Sequence, residues 1–165
     1  MPIIQFINPS RDSAKVSTHS RIVLQEIMTA AGISQVTITS TARTAADQAR
    51  IMYENITRHG VAHQKRLYGS YGDKIIDEYD LLERKGKTKA EIVAGMTQKI
   101  ISVGPRNVSR HAGDPSALNV VDIALSSIGL ARKQQFENAV KADSRVSKFL
   151  TPPKDPAYHL EIPQP

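Results

Sequence analysis

Cysteine and tryptophan are both missing from this chain of 165 residues. Without cysteine there is no disulfide framework, no thiolate nucleophile and no sulfur-ligated metal site. Any chemistry or metal binding therefore falls to the 5 histidines and 16 acidic residues. Aromatic residues make up only 5% and do not interleave with Lys and Arg. A stacking platform for single strands needs that interleaving, so no nucleic-acid partner is expected. No apolar run approaches the roughly 20 residues of a membrane-crossing helix, so no membrane span is expected. Met1 to Ser10 also lacks a basic segment followed by an apolar core, so no Sec-type signal is expected.

What the chain does carry is positive charge: 22 Lys and Arg against 16 Asp and Glu, a formal net charge of +6. That balance suits any polyanion, whether nucleic acid, anionic lipid or bacterial cell wall, and does not choose among them. The length and a 40% hydrophobic content fit a single globular domain over residues 1–165.

Apolar residues at three- and four-residue spacing (Ile22, Val23, Ile27, Ala30) predict a helix from about Ser17 to Ala31, with Gly32 at its stop. Alternation over Gln35 to Thr41 predicts a half-buried strand. Thr44 followed by Asp47 opens a helix that ends near His59-Gly60, and Thr88 followed by Glu91 opens another that Gly104-Pro105 stops. Between them, residues 61–72 have no period and are expected to form a surface loop, with a helix from Asp73 to Arg84 after it. A strand is expected over Leu118 to Leu125, a helix over Leu130 to Lys141, and strands over Val146 to Leu150 and Tyr158 to Ile162. The resulting expectation is α+β, a small antiparallel sheet covered by helices.

Three positions stand out chemically. Asp122 interrupts the apolar run Val120 to Ala124, and a carboxylate on a buried strand needs a cation, a metal or several donors beside it. An edge strand that points it at solvent, or an Arg partner, would serve equally. His159 and Glu161 are two apart, so on a strand they share one face. They form either a polar pair on a solvated face or a metal ligand beside a general base. His111 lies in a polar, Gly-containing loop, where exposure is the commoner outcome. Together the three supply two imidazoles and one carboxylate, the N/O ligand set of an open zinc site with its fourth position left to water.

At these residues the chain resembles the zinc peptidases of the D-Ala-D-Ala carboxypeptidase and L-Ala-D-Glu endopeptidase type, which share a fold with the hedgehog signalling domain. Ser109-Arg110-His111 matches the family's S-x-H, Asn119 to Ala124 resembles the strand bearing its Asp ligand, and Tyr158-His159-Leu160-Glu161 resembles its terminal W-H-x-E segment. Thr37 to Thr44 followed by Gln48 resembles its strand-turn-helix element, whose Arg and Gln help hold the substrate peptide. The resemblance spans roughly residues 35–162. It implies Zn²⁺ held by His111, Asp122 and His159, with Arg43, Gln48 and Ser109 at the substrate.

Two departures qualify the match. The connection from His111 to Asp122 is about four residues longer than the family's, which makes Asp114 a rival ligand. The family's catalytic Glu, three residues before the last His, is replaced by Pro156, leaving Glu161 or Asp155 as the general base. The resemblance thus implies a zinc metallopeptidase that hydrolyses peptidoglycan stem peptides or cross-links, of the phage endolysin or secreted antibacterial effector kind. It would be made in the cytoplasm and reach the periplasm or cell wall by lysis or specialised secretion, where a cognate immunity or delivery protein is an expected partner. A catalytically inactive relative that binds wall peptide or glycan is the alternative.

Overall fold

The computed structural model describes residues 1–165 and divides them into two compact units, residues 1–42 with 114–165, and residues 43–113. The first unit is built on a five-stranded sheet of order β1-β2-β3-β5-β4. Its strands are β1 (Ile3–Phe6), β2 (Gln35–Thr41), β3 (Leu118–Ile123), β4 (Lys148–Leu150) and β5 (Tyr158–Pro163). The sheet is mixed, not purely antiparallel as expected, because β1 runs parallel to β2 while the other pairings are antiparallel. The first strand was absent from the sequence reading: four residues with two exposed positions give too little alternation to register.

Two long helices, α2 (Thr18–Ala30) and α8 (Lys133–Ala142), supply the apolar cover of this sheet, with a short α1 (Pro9–Asp12) before them. Val23, Leu24, Ile27 and Met28 of α2 and Phe136 and Val140 of α8 join Val36, Ile38, Val121, Ile123, Tyr158, Leu160 and Ile162 in one core. All seven strand residues lie on one sheet face, as the period of two dictates. Side chains that alternate with them on β3 and β5 therefore belong to the opposite face.

A register shift between Ile38 and Ser40 marks a β-bulge in β2. Ile38 stands opposite Ile123, Ser40 opposite Asp122 and Thr41 opposite Val121, so Thr39 is the additional residue. Beyond it the phase is inverted: Thr41 turns to the core side, where its hydroxyl donates to Asp12 at 2.7 Å, and Ser40 joins the face of Asp122. Bulges commonly re-aim side chains in this way beside functional sites.

The second unit is helical: α3 (Ala45–His59), α4 (Val61–Leu67), α5 (Ser70–Arg84), α6 (Lys89–Val103) and α7 (Pro105–Val108). It has its own core of Ala49, Met52, Ile56, Ile75, Ile76, Tyr79, Ile92, Met96 and Ile100. Thr44 caps α3 by accepting from the Asp47 N–H, and Thr88 with Glu91 forms a reciprocal capping box on α6. The loop expected over 61–72 is instead α4 followed by the first turn of α5. Gly60, at φ +90°, ends α3 and lets a new helix start at once in a different direction. Its apolar content is too slight to show a period, and buried Gln64 occupies a position where the pattern would call for an aliphatic residue.

Candidate functional site

On the first unit, β3 and β5 set the register that builds the site. Asp122 pairs with His159 and Val120 with Glu161, while Tyr158, Leu160 and Ile162 point the other way into the core. Of the two alternatives for this pair, the solvated face does not form: His159 is fully buried and Glu161 is 5% exposed.

The His159 ring lies between carboxylates. Its Nδ1 is 3.0 Å from Asp122 Oδ1 and 4.0 Å from Asp155 Oδ2, and its Nε2 is 3.2 Å from Glu161 Oε1. Asp155 comes from the turn after β4, where its Oδ1 accepts from the Ala157 N–H at 3.1 Å, leaving Oδ2 toward the imidazole. Burial alone would lower the His159 pKa, but the hydrogen bonds to Asp122 and Glu161, with the charge of Asp155, hold it above its ordinary value. Each edge of the ring thus has a defined chemistry. The Nδ1 edge faces two carboxylates, Asp122 and Asp155; the Nε2 edge faces Glu161.

Asp114, the rival ligand, is engaged elsewhere. Its Oδ1 accepts from the Ser116 N–H at 2.8 Å and the Ser116 hydroxyl at 2.7 Å. Those bonds hold its carboxyl below the usual range in an exposed turn.

On the second unit, Arg43, Gln48, Ser109 and His111 are brought together. The Arg43 N–H donates to the His111 carbonyl at 2.5 Å and the Gly113 N–H to the Arg43 carbonyl at 3.1 Å, a one-residue parallel bridge. The Ser109 hydroxyl accepts from the His111 N–H at 3.2 Å, and its carbonyl accepts from the Ala112 N–H. Ser109, expected at the substrate, therefore shapes the loop that carries His111. Arg43 Nη1 donates to Gln48 Oε1 at 3.4 Å, and Gln48 Nε2 donates to the Tyr68 hydroxyl at 3.3 Å.

Tyr68, with Ser70 and Tyr71, falls in the stretch expected to be a loop walling a substrate groove; its contact with Gln48 left no sequence signal, because that partner lies twenty residues away on a different helix. The same holds for Ser40, which reaches the face of Asp122 only through the bulge. No helix is long and apolar enough to cross a membrane. Comparison with protein-family models, with curated proteins and with solved structures finds no match to this chain.

Proposed function

We propose that this chain is a zinc-dependent peptidase of the hedgehog/DD-peptidase-like fold that hydrolyses peptide bonds in bacterial peptidoglycan stem peptides. The observation that carries the reading is the buried imidazole of His159 with a carboxylate at each ring nitrogen. Metal-ligating histidines characteristically give one nitrogen to the ion and donate the other ring N–H to a carboxylate. Asp122 and His159 supply one carboxylate oxygen and one imidazole nitrogen, and the family resemblance implies His111 as a further ligand. A donor set of nitrogen and oxygen without sulfur, with a carboxylate behind the histidine, fits Zn²⁺ in an open catalytic site. The ion, when bound, supplies a Lewis acid that polarises a carbonyl and acidifies water.

The chain's own residues divide the remaining work by which edge of His159 they face. Glu161, on the Nε2 edge, holds the tautomer that leaves Nδ1 able to ligate. Asp155, on the Nδ1 edge with Asp122, is the carboxylate placed to take a proton from the attacking water and return it to the leaving amine. The base role thus goes to Asp155 over Glu161, and Pro156 at the family's Glu position is compensated by its neighbour. Arg43 orients a substrate carboxylate through its guanidinium fork. The +6 charge suits adsorption to an anionic wall.

Metal analysis of the purified protein, run beside muropeptide digestion by wild type, His159→Ala and Asp155→Asn, tests this reading. One equivalent of zinc, lost in His159→Ala and kept in Asp155→Asn, with cleavage only by wild type, is the expected result. Zinc without cleavage of any stem peptide would leave a binding module, the alternative reading. No zinc in the wild type would remove both.

A further inference from the structure

The second unit carries a polar relay that the proposed chemistry does not use in full. Arg43 can only donate, so its contact with Gln48 fixes the amide with Oε1 toward the guanidinium. The amide nitrogen must then face Tyr68, and the Tyr68 oxygen must accept from it. Gln48 is fully buried, which leaves it no solvent with which to exchange these partners. A phenol that accepts in this way keeps its own proton for donation.

The ring is held where that donation counts. A Cβ built on Gly72 would lie 2.4 Å from Tyr68 Cβ and 2.7 Å from its Cγ and Cδ1, so only glycine lets the phenol lie against α5 at that point. Burial raises the Tyr68 pKa, opposed by the Arg43 charge and the Gln48 hydrogen bond, so the phenol is protonated at neutral pH. Arg43 Nη1 and the Tyr68 hydroxyl contact the two ends of one Gln48 amide group, at 3.4 and 3.3 Å, so an anion paired with Arg43 comes within range of the phenol.

We propose that Tyr68 is a ligand-contacting residue whose hydroxyl donates to the carboxylate held by Arg43, so that the two together select an anionic peptide terminus over a neutral one. The proposal rests on the peptidase reading for the identity of the ligand, a peptide ending in a free carboxylate. Arg43 supplies charge, Gln48 sets the distance between the two donors, and Tyr68 adds a second, directional hydrogen bond. A neutral amide terminus would present an N–H group to donors that have no lone pair directed at it.

Titration calorimetry with N-acetyl-D-alanyl-D-alanine and with its C-terminal amide tests this without requiring turnover. Wild type is expected to bind the acid more tightly than the amide. Tyr68→Phe should weaken the acid about tenfold and leave the amide unchanged, as expected for a lost hydrogen bond to a charged group. Gly72→Ala, which displaces the ring, should do the same. A Tyr68→Phe variant that binds the acid as wild type does, or that loses both ligands equally, would overturn the proposal, as would a wild type that binds neither. In wild type carrying ¹³C-tyrosine, the Tyr68 Cζ resonance should move on adding the acid and stay put on adding the amide. That second measurement decides the matter even where a variant fails to fold, and a Cζ that stays put with the acid would overturn the proposal. Discrimination between the ligands without cleavage of muropeptides would remove the peptidase reading and keep the role of Tyr68.

Discussion

At the scale of single residues, the proposed function gives the two sides of the His159 ring different work, Nδ1 to a metal and Nε2 to a supporting carboxylate. Glu161→Gln keeps the shape beside Nε2 but removes the charge that holds the N–H there. Zinc affinity, read by competition with a chromogenic chelator, should fall about ten- to a hundredfold, the usual cost of losing the carboxylate behind a ligating histidine. Asp155→Asn should keep zinc and lose hydrolysis by about 10²- to 10⁴-fold, the range for a missing general base. The reverse pattern would exchange their roles. Sequence could pair His159 with Glu161 through strand alternation. It could not say which ring nitrogen each carboxylate meets, because that depends on the imidazole rotamer and on the turn that delivers Asp155.

Asp12 is a second residue whose role became visible only in three dimensions. It is 1% exposed and accepts from Arg11 at 2.8 and 2.6 Å and from Thr41 at 2.7 Å. Burial by itself would raise its pKa, but these bonds outweigh it and hold the carboxyl below its ordinary value. A depressed carboxyl stabilises the fold above its unfolded pKa, about 3.9, and loses that contribution as the pH falls through the folded value. Wild type should therefore exceed Asp12→Asn in urea stability at pH 7 by about 1–2 kcal/mol, with the gap closing toward pH 3. A gap independent of pH would mean that the stabilisation is not tied to ionisation.

At the scale of elements, what the sequence disclosed followed how local each signal is. The capping patterns at Thr44 and Thr88 and the stripes of α2, α3 and α6 involve neighbours within one or two turns, and the structure has these helices where the spacing puts them. The first strand exists because it pairs with β2 some thirty residues later, and α4 because Gly60 breaks the chain between two helices. Neither cause leaves a periodic trace. Thr88→Ala removes both halves of the capping box, since Glu91 Oε2 accepts from the Thr88 N–H only while the cap geometry holds it at 2.8 Å. The expected loss is about 1 kcal/mol, read by thermal or urea unfolding, with metal content unchanged.

At the scale of the whole molecule, the chain order sets a helical unit within the sequence of the sheet-bearing one, which keeps α1, α2 and α8 of its own. Residues 43–113 form a helical unit with its own apolar cluster, and they enter the sequence between β2 and β3. The α+β class was legible because strands and helices differ in period. The division into two cores was not, since apolar stripes announce burial without naming the partner. If Asp122 and His159 hold zinc, the folded state gains stability by mass action. Zinc at a hundred times its Kd should add about 2.7 kcal/mol to the unfolding free energy. Differential scanning calorimetry should show the melting temperature rising with zinc in wild type and staying flat in His159→Ala. A rise that persists in the variant would place the ion elsewhere.

The additional residue in β2 has a consequence for anyone transplanting or aligning this strand. Up to Ile38 the even-numbered positions line the apolar face; from Thr41 the odd-numbered ones do. A graft of equal length but without the bulge would set Thr39 opposite Asp122 and Ser40 opposite Val121, and would turn Thr41, whose hydroxyl Asp12 accepts from, away from the core side. One residue thus acts as a parity bit for the strand, and an alignment that closes the gap at Thr39 would misread everything after it.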